Sequence, residues 1–165
     1  MDTFAGPDPA ERNAFNRLFY RNRRPTWLGH WVSQFFCWWV RVGLPPKPWF
    51  GLEVRDRVSG RMRTDAVVVP TVAGQRYIVS MFGTISVWVQ NLAAARGDAV
   101  IFHGHSLRVH LALVPAPERA PILQEYVRIA SSGRKHFPVP VGAPLADFEA
   151  IAAQYPVYRV EGPAS

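Results

Sequence analysis

Two short turns constrain this chain more than any other feature. Val58-Ser59-Gly60-Arg61 and Ala73-Gly74-Gln75 bracket a valine-rich run, Met62 to Val72. Segments joined by turns this short run antiparallel. Residues 50–57 read as the strand before the first turn. Arg76 to Met81 reads as the strand after the second. A helix is predicted over 85–95, with Val87, Asn91 and Leu92, stopped by Gly97. Asp98 to Phe102 is a further strand. After His103-Gly104-His105 comes the cleanest alternation in the chain. Leu107, Val109, Leu111 and Leu113 share one face, and Arg108, His110 and Ala112 the other. Pro117-Glu118 opens a helix carrying Ile122, Tyr126 and Ile129 on one side. Pro144 opens a shorter one with Leu145, Phe148, Ile151 and Ala152. Val157 to Val160 can close the sheet.

About six strands result, mostly hairpin-linked, with one helix between strands and others around them. The alternating strand–helix rhythm of a doubly wound fold is missing. The expected class is α+β, mainly β: a small antiparallel barrel with helices outside. The 165 residues suit a single domain overall. Within it, 1–48 reads as a basic, Trp-rich segment and 49–165 as the barrel.

Charge is placed unevenly. Lys and Arg number 19 and Asp and Glu 12, a net charge of +7. No acid lies between Glu11 and Glu53, and that window holds Arg12, Arg17, Arg21, Arg23, Arg24, Arg41 and Lys47. It therefore carries the whole excess and points to a local anionic partner. Trp27, Trp31, Phe35, Trp38 and Val42 recur at helical spacing there. The apolar run between Arg24 and Arg41 is 16 residues. As a helix it spans roughly 24 Å, short of the ~30 Å hydrocarbon core. It begins too late for a secretory signal, and no small-residue cleavage site follows. Basic flanks with Trp at the edges suit an interfacial helix, which makes a membrane surface a candidate partner of residues 12–47. Packing on the protein's own core or in a dimer interface fits the same periodicity. Nucleic acid ranks last among the three.

Several chemistries are absent. There is no Walker loop, no His-Glu-x-x-His and no fingerprint of three spaced glycines. Gly104-His105-Ser106 begins like a nucleophile elbow, but position 108 is Arg where glycine is needed. His103 and His105 lack the further ligands of a metal site, so no metal is expected. A single cysteine, Cys37, excludes an internal disulfide framework. What remains is a basic turn, with Arg57, Arg61 and Arg63 around Ser59 and Gly60. Such a turn can offer backbone N–H groups and bidentate arginine bonds to a phosphate. A solvated hairpin tip has the same composition.

Here the residues resemble a family. Residues 52–64 are similar to the signature of the deazaflavin-dependent nitroreductases, a strand running into a Gly-Arg-x-Ser-Gly-x-x-Arg turn. Ser80 to Gly83, followed by Trp88, Asn91 and Leu92, resembles that family's strand end, loop and helix. The likeness runs from about Trp38 to Val114 and extends to Lys135 to Pro138. It implies a split β-barrel that binds the deazaflavin coenzyme F420 and reduces a quinone or nitro-type acceptor. Arg57, Ser59, Gly60, Arg61 and Arg63 would hold the phosphate and acidic tail, with Thr64 assisting. Ser80, Met81 and Gly83 would approach the ring system, and Trp88 and Asn91 would fix the loop and helix beside it. Tyr126, His136 or Ser80 would supply the proton that the acceptor needs.

The chain departs from the pattern. Asp56 stands where the family has glycine, and Met62 and Ala66 replace its prolines. An acid beside the phosphate site weakens anion binding unless it points away or pairs with Arg57. Two other readings stay open: an FMN-binding flavoprotein on the same barrel, and a non-catalytic protein binding cofactor or lipid at a membrane surface. A cytoplasmic protein, peripheral on the inner face of the membrane, is expected. A homodimer is compatible, because split barrels often pair through their sheets.

Overall fold

The computed structural model describes residues 49–162, together with the backbone of two short strands near the N-terminus. The chain divides into two units, Met1–Phe36 and Cys37–Ser165. In the first, β1 (Tyr20–Arg21) and β2 (Arg24–Pro25) pair antiparallel. The expected Trp-rich helix over residues 27–42 lies outside the described residues, as do the side chains of the 12–47 basic window.

Among the described residues of the second unit, seven antiparallel strands form one curled half-barrel with three helices. In chain order the strands are β3 (Trp49–Arg55), β4 (Met62–Val68), β5 (Thr71–Val72), β6 (Gln75–Val79), β7 (Asp98–His103), β8 (His105–Leu113) and β9 (Val157–Glu161). Their order across the sheet is β4-β3-β7-β8-β9-β6-β5. The helices are α1 (Val87–Ala94), α2 (Ala120–Ile129) and α3 (Leu145–Ile151).

The expected α+β, mainly β architecture is therefore present, with local differences. The long strand read over 62–72 is broken before β5. Pro70 has no N–H for the ladder, and its carbonyl instead accepts the Tyr77 N–H at 3.0 Å. The first strand ends two residues early, at Arg55. Asp56 leaves the ladder to organise the turn that follows. The two histidines of the 103–105 stretch lie on different strands. They face each other across a hairpin whose tip, Gly104, has φ of 74°.

Alternation along each strand sends side chains to two separate cores. One face contributes Leu52, Val54, Ile78, Ile101, Leu111 and Val160, and α1 covers it with Trp88, Val89 and Leu92. The other contributes Val68, Val79 and Val157, and α2 and α3 cover that. On α2 the buried set is Ala120, Ile122, Leu123, Tyr126 and Val127, with Ile129 packed against it. On α3 it is Phe148 and Ile151. Leu145, expected on the same face, is 41% exposed, as is Leu107 on β8. Leu145 is the first residue of α3; on β8 the middle of the predicted face, Val109 and Leu111, is buried, while Leu113 at its end is exposed like Leu107.

Two glycines are explained by close packing. Gly51 pairs with Phe102 across β3 and β7, and the Phe102 ring lies where a Cβ would be. Gly97 stops α1 with φ of 89°, its N–H bonded to the Leu92 carbonyl at 3.0 Å.

Candidate functional site

The residues from Asp56 to Arg61 form a closed turn between β3 and β4. The Asp56 N–H donates to the Arg61 carbonyl at 2.8 Å, and the Gly60 N–H to the Asp56 carbonyl at 2.8 Å. Gly60 takes φ of 70°, the left-handed region that favours glycine. The Asp56 carboxylate folds back into this turn. Its Oδ1 accepts the Val58 N–H (3.1 Å), the Ser59 N–H (2.8 Å) and the Ser59 hydroxyl (3.0 Å). Its Oδ2 accepts the Asn91 side-chain amide at 3.2 Å. Neither exception named for this acid applies: it does not point away and does not pair with Arg57, and its partners are the turn's own donors and Asn91. An Asp side chain that accepts the N–H two residues on, as Asp56 does from Val58, makes an Asx-turn.

Those bonds favour the ionised form. They lower the Asp56 pKa from 3.8 to about 2, led by the Ser59 N–H and hydroxyl. A depressed carboxyl pKa contributes stability that is complete above the unfolded value and lost as pH falls through the folded one. The melting-temperature gap between wild type and Asp56→Ala is therefore expected to be full at pH 7. It should close as pH falls from 3.8 towards 2. A gap that stays constant over this window would contradict the assignment.

Asn91 is fully buried and joins the turn to α1. Its Oδ1 accepts the Arg57 N–H at 3.2 Å and the Arg57 guanidinium at 3.0 Å. The other Arg57 nitrogen donates to Gln90 Oε1 at 2.6 Å. Gln90 in turn donates to the Ile85 carbonyl at 3.4 Å. One hydrogen-bonded series thus runs from the basic turn through α1 to the loop before it. Sequence reasoning missed Gln90, because only the three-dimensional path gives it two partners.

The loop from Ser80 to Ser86 is equally self-contained. Ser80 is fully buried. Its hydroxyl donates to the Gly83 carbonyl at 2.7 Å and shares a 2.8 Å bond with the Ser86 hydroxyl. Gly83 has φ of 68°, and an added Cβ would press on the Gln154 carbonyl. Met81 and Phe82 are half-buried beside them. The His136 ring meets Phe82 edge-on at 4.6 Å. Burial, then the Lys135 charge, lowers the His136 pKa and so favours the neutral ring.

The structure thus brings Ser80, Met81, Gly83 and His136 together, and Arg57, Ser59, Gly60, Arg61 and Asn91 together. Other predicted site residues lie apart. Trp88 packs edge-on against Tyr158 at 5.6 Å, inside the barrel core. Tyr126 is 3% exposed in the opposite core, its hydroxyl against Gly133. Burial pushes that hydroxyl well above the usual phenol range. Thr64 donates to Glu53 at 3.2 Å and occupies the opposite face of β4 from Arg63. Arg61 is exposed, and Arg63 is half-buried, its guanidinium 3.9 Å from Asp65. Among the described residues, no group of three or more His, Cys, Asp or Glu could hold a metal ion. No helix among them is long and apolar enough to cross a membrane.

The fit to a phosphate-bearing cofactor divides. The Arg61 and Arg63 side chains suit an anionic tail. The turn's backbone does not, because its donors are already bonded.

No protein-family model matches this sequence, and no curated protein does. Solved structures share the fold. One is a protein of unknown function from Agrobacterium tumefaciens, 13% identical, TM-score 0.53, matching 76% of this chain and 52% of its own. The present chain thus spans about half its length. Another is a domain-swapped dimer, 14% identical, TM-score 0.51, over 82% of this chain and 97% of that one. A third is an F420-H2 dependent reductase, 15% identical, TM-score 0.47, over 70% and 95%. For the first two, at these identities, the likeness is one of fold.

Proposed function

We propose that this chain binds a deazaflavin- or flavin-type cofactor and acts as an oxidoreductase on a quinone- or nitro-type acceptor. The observation that carries the reading is the Arg57–Asn91 pair of bonds. It joins the two stretches, 34 positions apart, in which the sequence resembles the deazaflavin-dependent nitroreductases. Residues that match a cofactor signature separately are thereby held as one unit.

When bound, such a cofactor supplies the hydride chemistry, and the protein supplies position and a dry surface. Arg61 and Arg63 attract its anionic tail through charge-assisted bonds. The Ser80–Ser86 loop is braced by its own hydroxyls, which gives it a fixed shape at the ring end. Of the three proton-donor candidates, His136 is the one we retain. It borders that loop through Phe82, and a neutral imidazole can accept a proton at one nitrogen while releasing one from the other. Ser80 spends its hydroxyl on the loop, and Tyr126 belongs to the core.

The test is a titration of the full chain with oxidised coenzyme F420, followed by Trp fluorescence, with FMN in parallel. Saturable quenching is expected, weakened at least tenfold in the Arg61→Ala, Arg63→Ala double variant. Turnover with a soluble quinone should follow the same order. Quenching by FMN alone moves the protein to the flavin branch of the fold. Binding without turnover on any acceptor leaves a carrier rather than an enzyme.

A further inference from the structure

Five successive backbone amides, from Arg57 to Arg61, are each committed to an internal acceptor. Arg57 N–H bonds Asn91 Oδ1. Val58 and Ser59 N–H bond Asp56 Oδ1. Gly60 N–H bonds the Asp56 carbonyl at 2.8 Å. Arg61 N–H bonds the Ser59 hydroxyl at 3.4 Å. A turn that presents consecutive N–H groups is an anion-binding concavity. Here the anion is already in it, and it is a side chain.

We propose that Asp56 is the resident anion of this turn and sets its ligand specificity. It excludes phosphate from the backbone donors and leaves the Arg61 and Arg63 side chains to recognise an anionic tail. Three physical facts carry this. The carboxylate is covalently attached, so it competes at an effective concentration of roughly millimolar or more without paying for association. Asn91, fully buried, holds the second carboxylate oxygen and fixes its direction. The Arg57 guanidinium, which could otherwise reach out to a phosphate, is turned inward onto Asn91 and Gln90. A phosphate entering the turn would have to displace the carboxylate and then lie beside its charge. The consequence is a preference: a ligand's phosphate adds little to binding at this turn, and its ring and other acidic groups add more. The cofactor half of this statement rests on the oxidoreductase reading. The occupancy of the turn does not.

The experiment separates the two. Inorganic phosphate is titrated into the full chain while the backbone amide resonances of Val58, Ser59 and Gly60 are followed by NMR. Wild type, Asp56→Ala and Asp56→Asn are compared. At millimolar phosphate the wild-type amides are expected to stay in place. In Asp56→Ala they should shift saturably, with phosphate affinity at least tenfold higher. Asp56→Asn keeps an acceptor oxygen without the charge and should fall between. Saturable shifts in the wild type, or equal affinity in wild type and both variants, would overturn the proposal. Asp56→Asn keeps an acceptor for the turn's N–H groups, so it preserves the comparison if Asp56→Ala fails to fold, and its affinity equal to the wild type's would overturn the proposal. In parallel, the FMN-to-riboflavin affinity ratio should rise at least tenfold from the wild type to Asp56→Ala. Failure of every form to bind F420, FMN or riboflavin would overturn the oxidoreductase reading, while the phosphate arm still decides the role of Asp56.

Discussion

Phe148→Ala is expected to lose about 3–5 kcal/mol of folding stability, the usual cost of deleting a buried phenylalanine and leaving its cavity. Phe148 is fully buried in the cluster that holds Leu123, Val127 and Val157. It is the side chain by which α3 closes over α2. A loss of that size is a large share of a typical domain's margin, and it should lower the melting temperature by roughly 10 °C. The control is Leu145→Ala on the same helix, where the side chain is 41% exposed. That change should stay within about 0.5 kcal/mol. Urea unfolding of the two variants decides the point. Equal losses would mean that α3 is held by something other than this core.

Asn91→Ala is expected to cost about 3 kcal/mol, from three side-chain bonds at about 1 kcal/mol each. Two of those bonds run to Arg57 and one to Asp56. The loss should be local in its second effect: the turn from Asp56 to Arg61 is released from α1 while the sheet remains. Hydrogen exchange should therefore accelerate at Arg57 to Gly60 but not at Ile78 or Leu111. Gln90→Ala, which removes only an exposed bond to Arg57 and a long one to Ile85, should cost well under 1 kcal/mol. If Asn91→Ala were as mild, Asn91 would be a passenger of the helix. A double-mutant cycle between positions 56 and 91 would give their coupling directly.

These two variants also mark where sequence reasoning reached and where it stopped. Phe148 was legible as core because a helix opened by Pro144 places Phe148 and Ile151 three apart on one side. The hairpins were legible because Ser59-Gly60 and Ala73-Gly74 leave antiparallel pairing as the only outcome. Asn91 was legible as a site residue only through the family resemblance. Its spacing from Arg57 carries no local period, and nothing in the string says that the two meet. Tyr126 illustrates an ambiguity of the opposite kind. A tyrosine on an amphipathic helix carries a titratable group and a core-sized ring together. Its 3% exposure shows that packing took the side chain.

Read from the chain alone, the fold class, the order of elements and the location of the basic turn follow from periodicity and turn chemistry. Those are short-range properties, settled by backbone sterics and by which face is apolar. The direction of the Asp56 carboxylate is a different kind of fact. Outward to solvent, across to Arg57, or in place beside the turn were all compatible with the residues as written. Folding selected the third, because α1 delivers a buried Asn91 amide to one carboxylate oxygen while the turn's own N–H groups take the other. A side chain's orientation depends on donors brought from 35 positions away, and those are assembled only when the sheet curls and the helix packs on it.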